Sequence, residues 1–267
     1  MNIPKILSIA GSDPTGGAGI QADIKAITML GGYAATALTS ITVQDTCKLY
    51  ESFDLPADLV TKQIEVVIND LGIDVIKTGM LANEEIITAV SKILHKHNNI
   101  PAVIDPVMIS TSEGKLITDA GFLALKEKLL PQAYLFTPNL IEAKALLDMN
   151  IEDLEDMKNA GKKLLKMGAK NILLKGGHLS TETIYDVLFF TDGKIEIFES
   201  AKIITNHTHG TGCSLASSIA CLLGKGYALS FAVDTARKYI YQAIKTAPQF
   251  GTGHGPINHL VIRKDHT

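Results

Sequence analysis

Short apolar runs rich in β-branched residues alternate with longer stretches in which apolar residues recur every three or four positions. The short runs at residues 6–10, 34–43, 75–77, 102–104, 133–137 and 171–174 predict strands. Between them, residues 19–30 place Ile20, Ile24, Ile27 and Leu30 on one face, the period of an amphipathic helix. The same spacing predicts helices at 57–71, 84–97, 119–130, 140–147 and 153–167. Residues 185–200 differ and read as a hairpin turning at Asp192-Gly193. Two more helices are predicted around 214–223 and 230–246. Alternating β and α elements imply right-handed crossovers and a mostly parallel sheet covered on both faces. The expected architecture is three-layer α/β/α with a small antiparallel addition. No repeat or linker divides residues 1–267, so one domain is expected.

In an open α/β sheet, ligands bind beyond the carboxyl ends of the strands. The unusual residues of this chain cluster there. Ser12-Asp-Pro-Thr-Gly-Gly-Ala-Gly19 follows the first strand, and Thr78-Gly-Met80 follows the run at 75–77. Asp105-Pro-Val-Met108, Pro138-Asn139 and Lys175-Gly-Gly-His178 follow three later ones. Their shared location says more than any single motif.

The segment Asn206-His-Thr-His-Gly-Thr-Gly-Cys213 precedes a helical pattern in which Leu215, Ile219, Leu222 and Leu223 share a face. Gly210, Thr211, Gly212 and Cys213 therefore stand at a helix N-terminus. Free N–H groups and the helix dipole attract an anion there. Glycines admit a phosphate close to the backbone, and the dipole is expected to lower the pKa of a thiol. The combination suggests phosphoryl transfer; the alternative is an ordinary core helix with Cys213 as a small buried hydrophobe.

Other candidates also have two readings each. Asn139 and Glu142 form a capping arrangement, or help hold a Mg²⁺-bound phosphate through ordered water. Lys175 reaches a phosphate as a mobile charge, or is a solvated strand end. Asp105 is a metal-site carboxylate or a turn residue before Pro106. Asp23 faces the site or favours the helix N-terminus by its charge. Gln44 closes the second strand, and its carboxamide can pair bidentately with a 4-aminopyrimidine. Met80 and Val107 can clamp a flat ring, or belong to the core.

Several classes recede. Gly17-Ala-Gly19-Ile-Gln-Ala22 fits a dinucleotide pattern, but loop residues intervene after the strand and no acidic residue closes a second strand. No G-K-[ST] occurs, so there is no P-loop motif. His207 and His209 lack a third zinc ligand nearby. A net charge of −3 gives no electrostatic case for nucleic acid. Three cysteines without CxxC spacing fit a reduced cytoplasmic protein. No signal peptide or transmembrane run is read.

Taken together, these motifs resemble the bacterial hydroxymethylpyrimidine/phosphomethylpyrimidine kinases of thiamine biosynthesis, in the ribokinase superfamily. The stretches that carry the resemblance are Ala10-Gly-Ser-Asp-Pro-Thr-Gly-Gly-Ala-Gly-Ile-Gln-Ala-Asp23, Lys77-Thr-Gly-Met-Leu81, Asp105-Pro-Val-Met108, Thr137-Pro-Asn-Leu-Ile-Glu-Ala143, Lys175-Gly-Gly-His178 and Thr208-His-Gly-Thr-Gly-Cys213. The resemblance implies a ribokinase-like fold, ATP and Mg²⁺ as cofactors, and two successive phosphorylations of 4-amino-5-hydroxymethyl-2-methylpyrimidine. It implies pyrimidine contacts from Gly11, Asp23, Gln44, Met80 and Val107. It implies a Mg·ATP region at Asn139, Glu142, Lys175 and Gly177, with Asp105 and Glu142 near the Mg²⁺. Cys213 matches the family's proposed base, and Gly210 to Gly212 match its anion hole. Sugar kinases of the superfamily carry Asp where this chain has Cys213. A homodimer is expected from the family, without membrane or nucleic-acid partners. Two alternatives stay open: a pyridoxal kinase on the same scaffold, and a non-catalytic pyrimidine-binding protein. The segment Ser110-Thr-Ser-Glu-Gly114 reads either as a flap or as an idle loop.

Overall fold

The computed structural model describes residues 3–108, 116–177, 179 and 182–262. The suggested flap at 110–114 and His178 lie outside them. Strand β1 (Lys5–Ser12) buries Ile6, Leu7, Ile9 and Ala10 on both faces, which only a central strand can do. Beside it run β2 (Tyr33–Gln44) and β4 (Val75–Thr78), both parallel to it, with Leu7 registered against Ala35 on one side and Ile76 on the other. Strands β5 (Ala102–Ile104), β6 (Leu135–Phe136) and β7 (Asn171–Lys175) continue the parallel set. Antiparallel strands finish both edges: β3 (Leu49–Asp54) pairs with β2, and β8 (Thr183–Phe190) and β9 (Ile195–Ala201) extend β7. The nine-strand order is β3-β2-β1-β4-β5-β6-β7-β8-β9.

Successive side chains of the strands feed two cores. Leu7, Ile9, Ile76 and Ile104 pack under α2 (Ala57–Leu71), α3 (Glu84–Lys96), α4 (Asp119–Ala124), α5 (Leu140–Leu147) and α6 (Leu154–Leu165). Ile6, Val75, Val103 and Leu173 pack under α1 (Gly19–Met29), α7 (Thr211–Gly224) and α8 (Leu229–Lys245). The three layers and the mostly parallel sheet are those expected from the sequence. Helix starts follow local chemistry: Asn83, Thr118 and Asp153 each accept the N–H three residues on, at α3, α4 and α6. Among the described residues, no helix is long and apolar enough to cross a membrane.

Two expectations needed correction. The region 119–130 is not one α-helix: after α4 the chain widens into a π-turn at Leu125–Leu129 and tightens into a 3₁₀ turn at Leu130–Gln132. Pro131 lies in that last turn, and its ring and missing N–H end regular helix there. Strand β3 was not expected. It lies on the sheet edge with most of its residues exposed, so it lacks the alternation by which strands are read.

Helix α6 approaches the sheet through Gly161, where an added Cβ would run into the Phe189 ring of β8. Gly161→Ala should therefore overpack this contact and cost about 1–3 kcal/mol. Thermal unfolding of the purified variant checks this; an unchanged midpoint would contradict it.

Candidate active site

The carboxyl ends of β1, β4, β5, β6 and β7 meet the N-termini of α1, α5 and α7. Helix α7 starts at Gly210, which is left-handed at φ 81. A Cβ there would strike the Gly17 carbonyl, and one at Gly19 (φ 56) would strike the Gly11 carbonyl. Gly210 thus lets the 207–213 loop pack its backbone against the 11–19 loop, and Gly19 lets the 11–19 loop fold back on itself. Asp13 ties the loops further: it accepts from Ala18 N at 2.7 Å and Thr15 N at 2.9 Å, and its Oδ2 lies 2.8 Å from His209 Nε2. Burial opposes its charge, but the bonds from His209 and from Ala18 and Thr15 hold its carboxyl well below the usual range.

At the α7 start, Thr211 Oγ1 donates to the Thr208 carbonyl at 2.6 Å. Among the described residues, the N–H groups of Gly212 and Cys213 have no acceptor. These are orphan donors of a helix first turn, suited to an anion. A Cβ at Gly212 would lie 3.4 Å from Lys175 Nζ and 3.6 Å from Asp105 Oδ2, so the lysine and the aspartate face this turn.

Lys175 ends β7 and binds Asp105 Oδ1 at 2.8 Å, where Thr137 Oγ1 also donates at 3.0 Å. Burial works against the ammonium, yet Asp105 and Glu142 hold its pKa above the ordinary lysine value. Asn139 and Glu142 do form the capping box: Glu142 N donates to Asn139 Oδ1 at 2.9 Å and Asn139 N to Glu142 Oε2 at 2.7 Å. Asn139 also bridges Lys175 across the sheet edge. Burial pushes the Glu142 carboxyl up to about 7, against the pull of Lys175. Gly177 lies exposed just beyond Lys175.

On the other side of the site, Gly11 rests on Met80: an added Cβ would lie 3.1 Å from Met80 Sδ. Val107 and Gln44 are half-buried. Among the described residues, the Gln44 carboxamide makes no hydrogen bond, so its donors and acceptor are free.

Asp23 does not line this pocket. It is fully buried, accepting from Ser8 Oγ and Ser217 Oγ at 2.6 Å each and from Lys77 Nζ at 2.9 Å. As a substrate contact its carboxylate has no free face; it lies beneath the site. Lys77, Ser8 and Ser217 were not among the expected residues. The signal was a lysine inside the buried run Val75-Ile-Lys-Thr78, which must find a counter-charge.

Cys213 also differs from expectation. Burial pushes its thiol up to about 11, outweighing the opposing pull of Lys77 and of the Gly19 amide. The helix dipole favours a thiolate, but the rest of the fold desolvates the sulfur. A cleft of about 540 Å³ between α2 and α3, lined by Asp58, Glu65, Lys92 and Lys96, contains none of these residues.

A sequence model of the phosphomethylpyrimidine kinase family matches residues 13–258. The chain belongs to that family. It is 37% identical to the hydroxymethylpyrimidine/phosphomethylpyrimidine kinase of Bacillus subtilis, over 99% of this chain and 98% of that one. It is 43% identical to the thiamine biosynthesis bifunctional protein ThiED of Geobacter sulfurreducens, over 97% of this chain. That relative is longer, and the match spans 53% of it. Among solved structures, the phosphomethylpyrimidine kinase of Clostridium difficile superposes with a TM-score of 0.80 at 36% identity, over 91% of this chain and all of that one. The ADP complex of Bacillus subtilis pyridoxal kinase gives 0.90 at 35%, over 98% and 99%. The kinase thus has the ribokinase-like fold that the resemblance implied.

Alkylation of Cys213 in the free kinase, followed by peptide mass mapping, should keep accelerating past the ordinary thiol value of 9.0 and level near about 11. Levelling below 9.0 would contradict desolvation of the sulfur by the surrounding fold.

Proposed function

We propose that the kinase moves the γ-phosphoryl group of ATP to the hydroxymethyl oxygen of 4-amino-5-hydroxymethyl-2-methylpyrimidine, and then phosphorylates the monophosphate to the diphosphate. One observation carries the reading. The free Gly212 and Cys213 amides, the Lys175 ammonium and the Cys213 sulfur converge at the α7 N-terminus. The Gly11–Met80 contact and the free Gln44 carboxamide belong to the same carboxyl edge of the sheet.

In the first step the hydroxymethyl oxygen forms a bond to the γ-phosphorus as the bond to the β-phosphate oxygen breaks, and ADP leaves. The hydroxyl proton passes to Cys213 as its thiolate. The free kinase holds Cys213 as a thiol, so the thiolate is a small fraction at neutral pH. A loose transition state tolerates that, since it depends on placement and charge neutralisation more than on base strength. Lys175 and the α7 amides neutralise the transferring group. Gln44 reads the ring nitrogen and exocyclic amine, while Met80 and Val107 hold the ring faces. In the second step the nucleophile is already anionic, and no base is needed.

Magnesium fits here through phosphate oxygens and water. Among the described residues no three His, Cys, Asp or Glu side chains gather to hold a metal. Asp105 Oδ1 is already taken by Lys175 and Thr137, and Glu142 accepts from the Asn139 and Met108 amides. Direct chelation by both carboxylates therefore gives way to contacts through the metal's water shell, the usual habit of Mg²⁺ beside phosphates. Bound there, it would offset charge on the phosphates.

A second reading is phosphorylation of pyridoxal. The superpositions on pyridoxal kinases favour it, including a Staphylococcus aureus complex with AMP-PCP and pyridoxal at a TM-score of 0.90 and 32% identity. The free Gln44 carboxamide favours the aminopyrimidine.

Incubation with Mg·ATP and the hydroxymethylpyrimidine, with pyridoxal in parallel, should yield mono- and then diphosphorylated pyrimidine by mass. Pyridoxal phosphate alone would overturn the substrate assignment, and no product from either would favour a binding protein. Cys213→Ala should slow the first step roughly a hundredfold and the second far less. Near-full first-step turnover in that variant would rule out the base role.

A further inference from the structure

Lys77 is among the largest fully buried side chains of the molecule. It points from the middle of the sheet into the layer of α1 and α7. A buried ion pair is seldom the most stable solution, because apolar residues of similar volume fill the same space without losing hydration. Packing alone therefore does not account for the pair.

Its surroundings tie it to the reacting centre. Among the described residues, both Lys77 hydrogen bonds go to Asp23, at 2.9 Å each, although an ammonium has three N–H donors. A Cβ at Gly79, the residue before Met80, would lie 3.0 Å from Lys77 Nζ, so the ammonium sits under the floor of the pyrimidine pocket. Asp23 Oδ1 accepts from Ser217, which stands one turn after Cys213 on the same face of α7. Among the described residues, Asp23 itself, Asp105 and Lys175 also act on Cys213. Of the two cations, Lys175 is paired with Asp105 at the mouth of the site, and Lys77 is the one below.

We propose that Lys77, held by Asp23, is a positioning residue for the first phosphorylation: its ammonium holds Asp23 against Ser217, and so fixes the start of α7 and the Cys213 sulfur over the pocket. The inference rests on the reading of Cys213 as the group that takes the substrate's proton. No bond forms or breaks at Lys77. It acts through Cys213, so its loss should be felt only while Cys213 is there to use it.

The test is a double-mutant cycle in the full chain, with kcat and KM for both steps. Asp23→Asn/Lys77→Met removes both charges together and leaves no buried charge alone. It should lower kcat of the first step roughly tenfold or more by displacing the Cys213 sulfur, with a smaller loss in the second and little change in KM for the pyrimidine. Adding Cys213→Ala should then cost nothing beyond Cys213→Ala alone. Losses that multiply, or that fall equally on both steps, would overturn the inference. Should the neutralised pair fail to fold by circular dichroism, Ser217→Ala removes one donor to Asp23 and leaves both charges. It should slow the first step selectively, and equal slowing of both steps would again overturn the inference. A wild-type chain that phosphorylates no pyrimidine, or a Cys213→Ala variant with an unchanged first step, would overturn the underlying reading instead.

Discussion

The buried pair of Asp23 and Lys77 is the interaction on which the rest of the site depends. Register places Ser8 of β1 beside Lys77 of β4 at the centre of the sheet. Asp23 reaches down from α1 and Ser217 from α7, so one carboxylate gathers two strands and two helices. Removing one partner would strand a charge in the interior, at a cost of about 3–5 kcal/mol. The pair therefore constrains where α1 and α7 can begin, and both beginnings border Cys213. Its sulfur feels the Gly19 amide at the start of α1 and stands in the first turn of α7.

Above that pair, the loops are held by contact with each other. Gly17 and Gly210 lie where a side chain would strike the facing loop. Asp13 and His209 bridge the same gap at 2.8 Å. This leaves the Gly212 and Cys213 amides facing outward beside Lys175. Preorganised donors of this kind need no rearrangement when charge develops, which is the main source of phosphoryl-transfer catalysis. The same enclosure desolvates the sulfur, so the packing that leaves these amides open also raises the Cys213 pKa.

Much of the fold was legible because apolar periodicity is a local property. The parallel strands, most helices and the hairpin at Asp192-Gly193 follow from it. Strand β3 escaped because an exposed edge strand need not alternate, and the π-turn at Leu125–Leu129 because helix widening leaves no mark on periodicity. In the site, the Asn139–Glu142 capping box was legible from spacing alone. The partner of Asp23 was not: Lys77 lies 54 residues away and meets it only through the β1–β4 register. The Cys213 pKa was misjudged for a related reason. A helix dipole can be read from a few residues, whereas burial depends on α1, β4 and the loops together.

The most direct test of the account is the position of the hydroxymethyl oxygen in a crystal complex with the pyrimidine and a non-hydrolysable ATP analogue. The account predicts that oxygen within hydrogen-bond reach of Cys213 Sγ. The ring would lie between Met80 and Val107 with its amine on Gln44, and the terminal phosphate would face the Gly212 and Cys213 amides. A pyrimidine bound with its hydroxymethyl group turned away from Cys213, or a terminal phosphate remote from the α7 N-terminus, would contradict it.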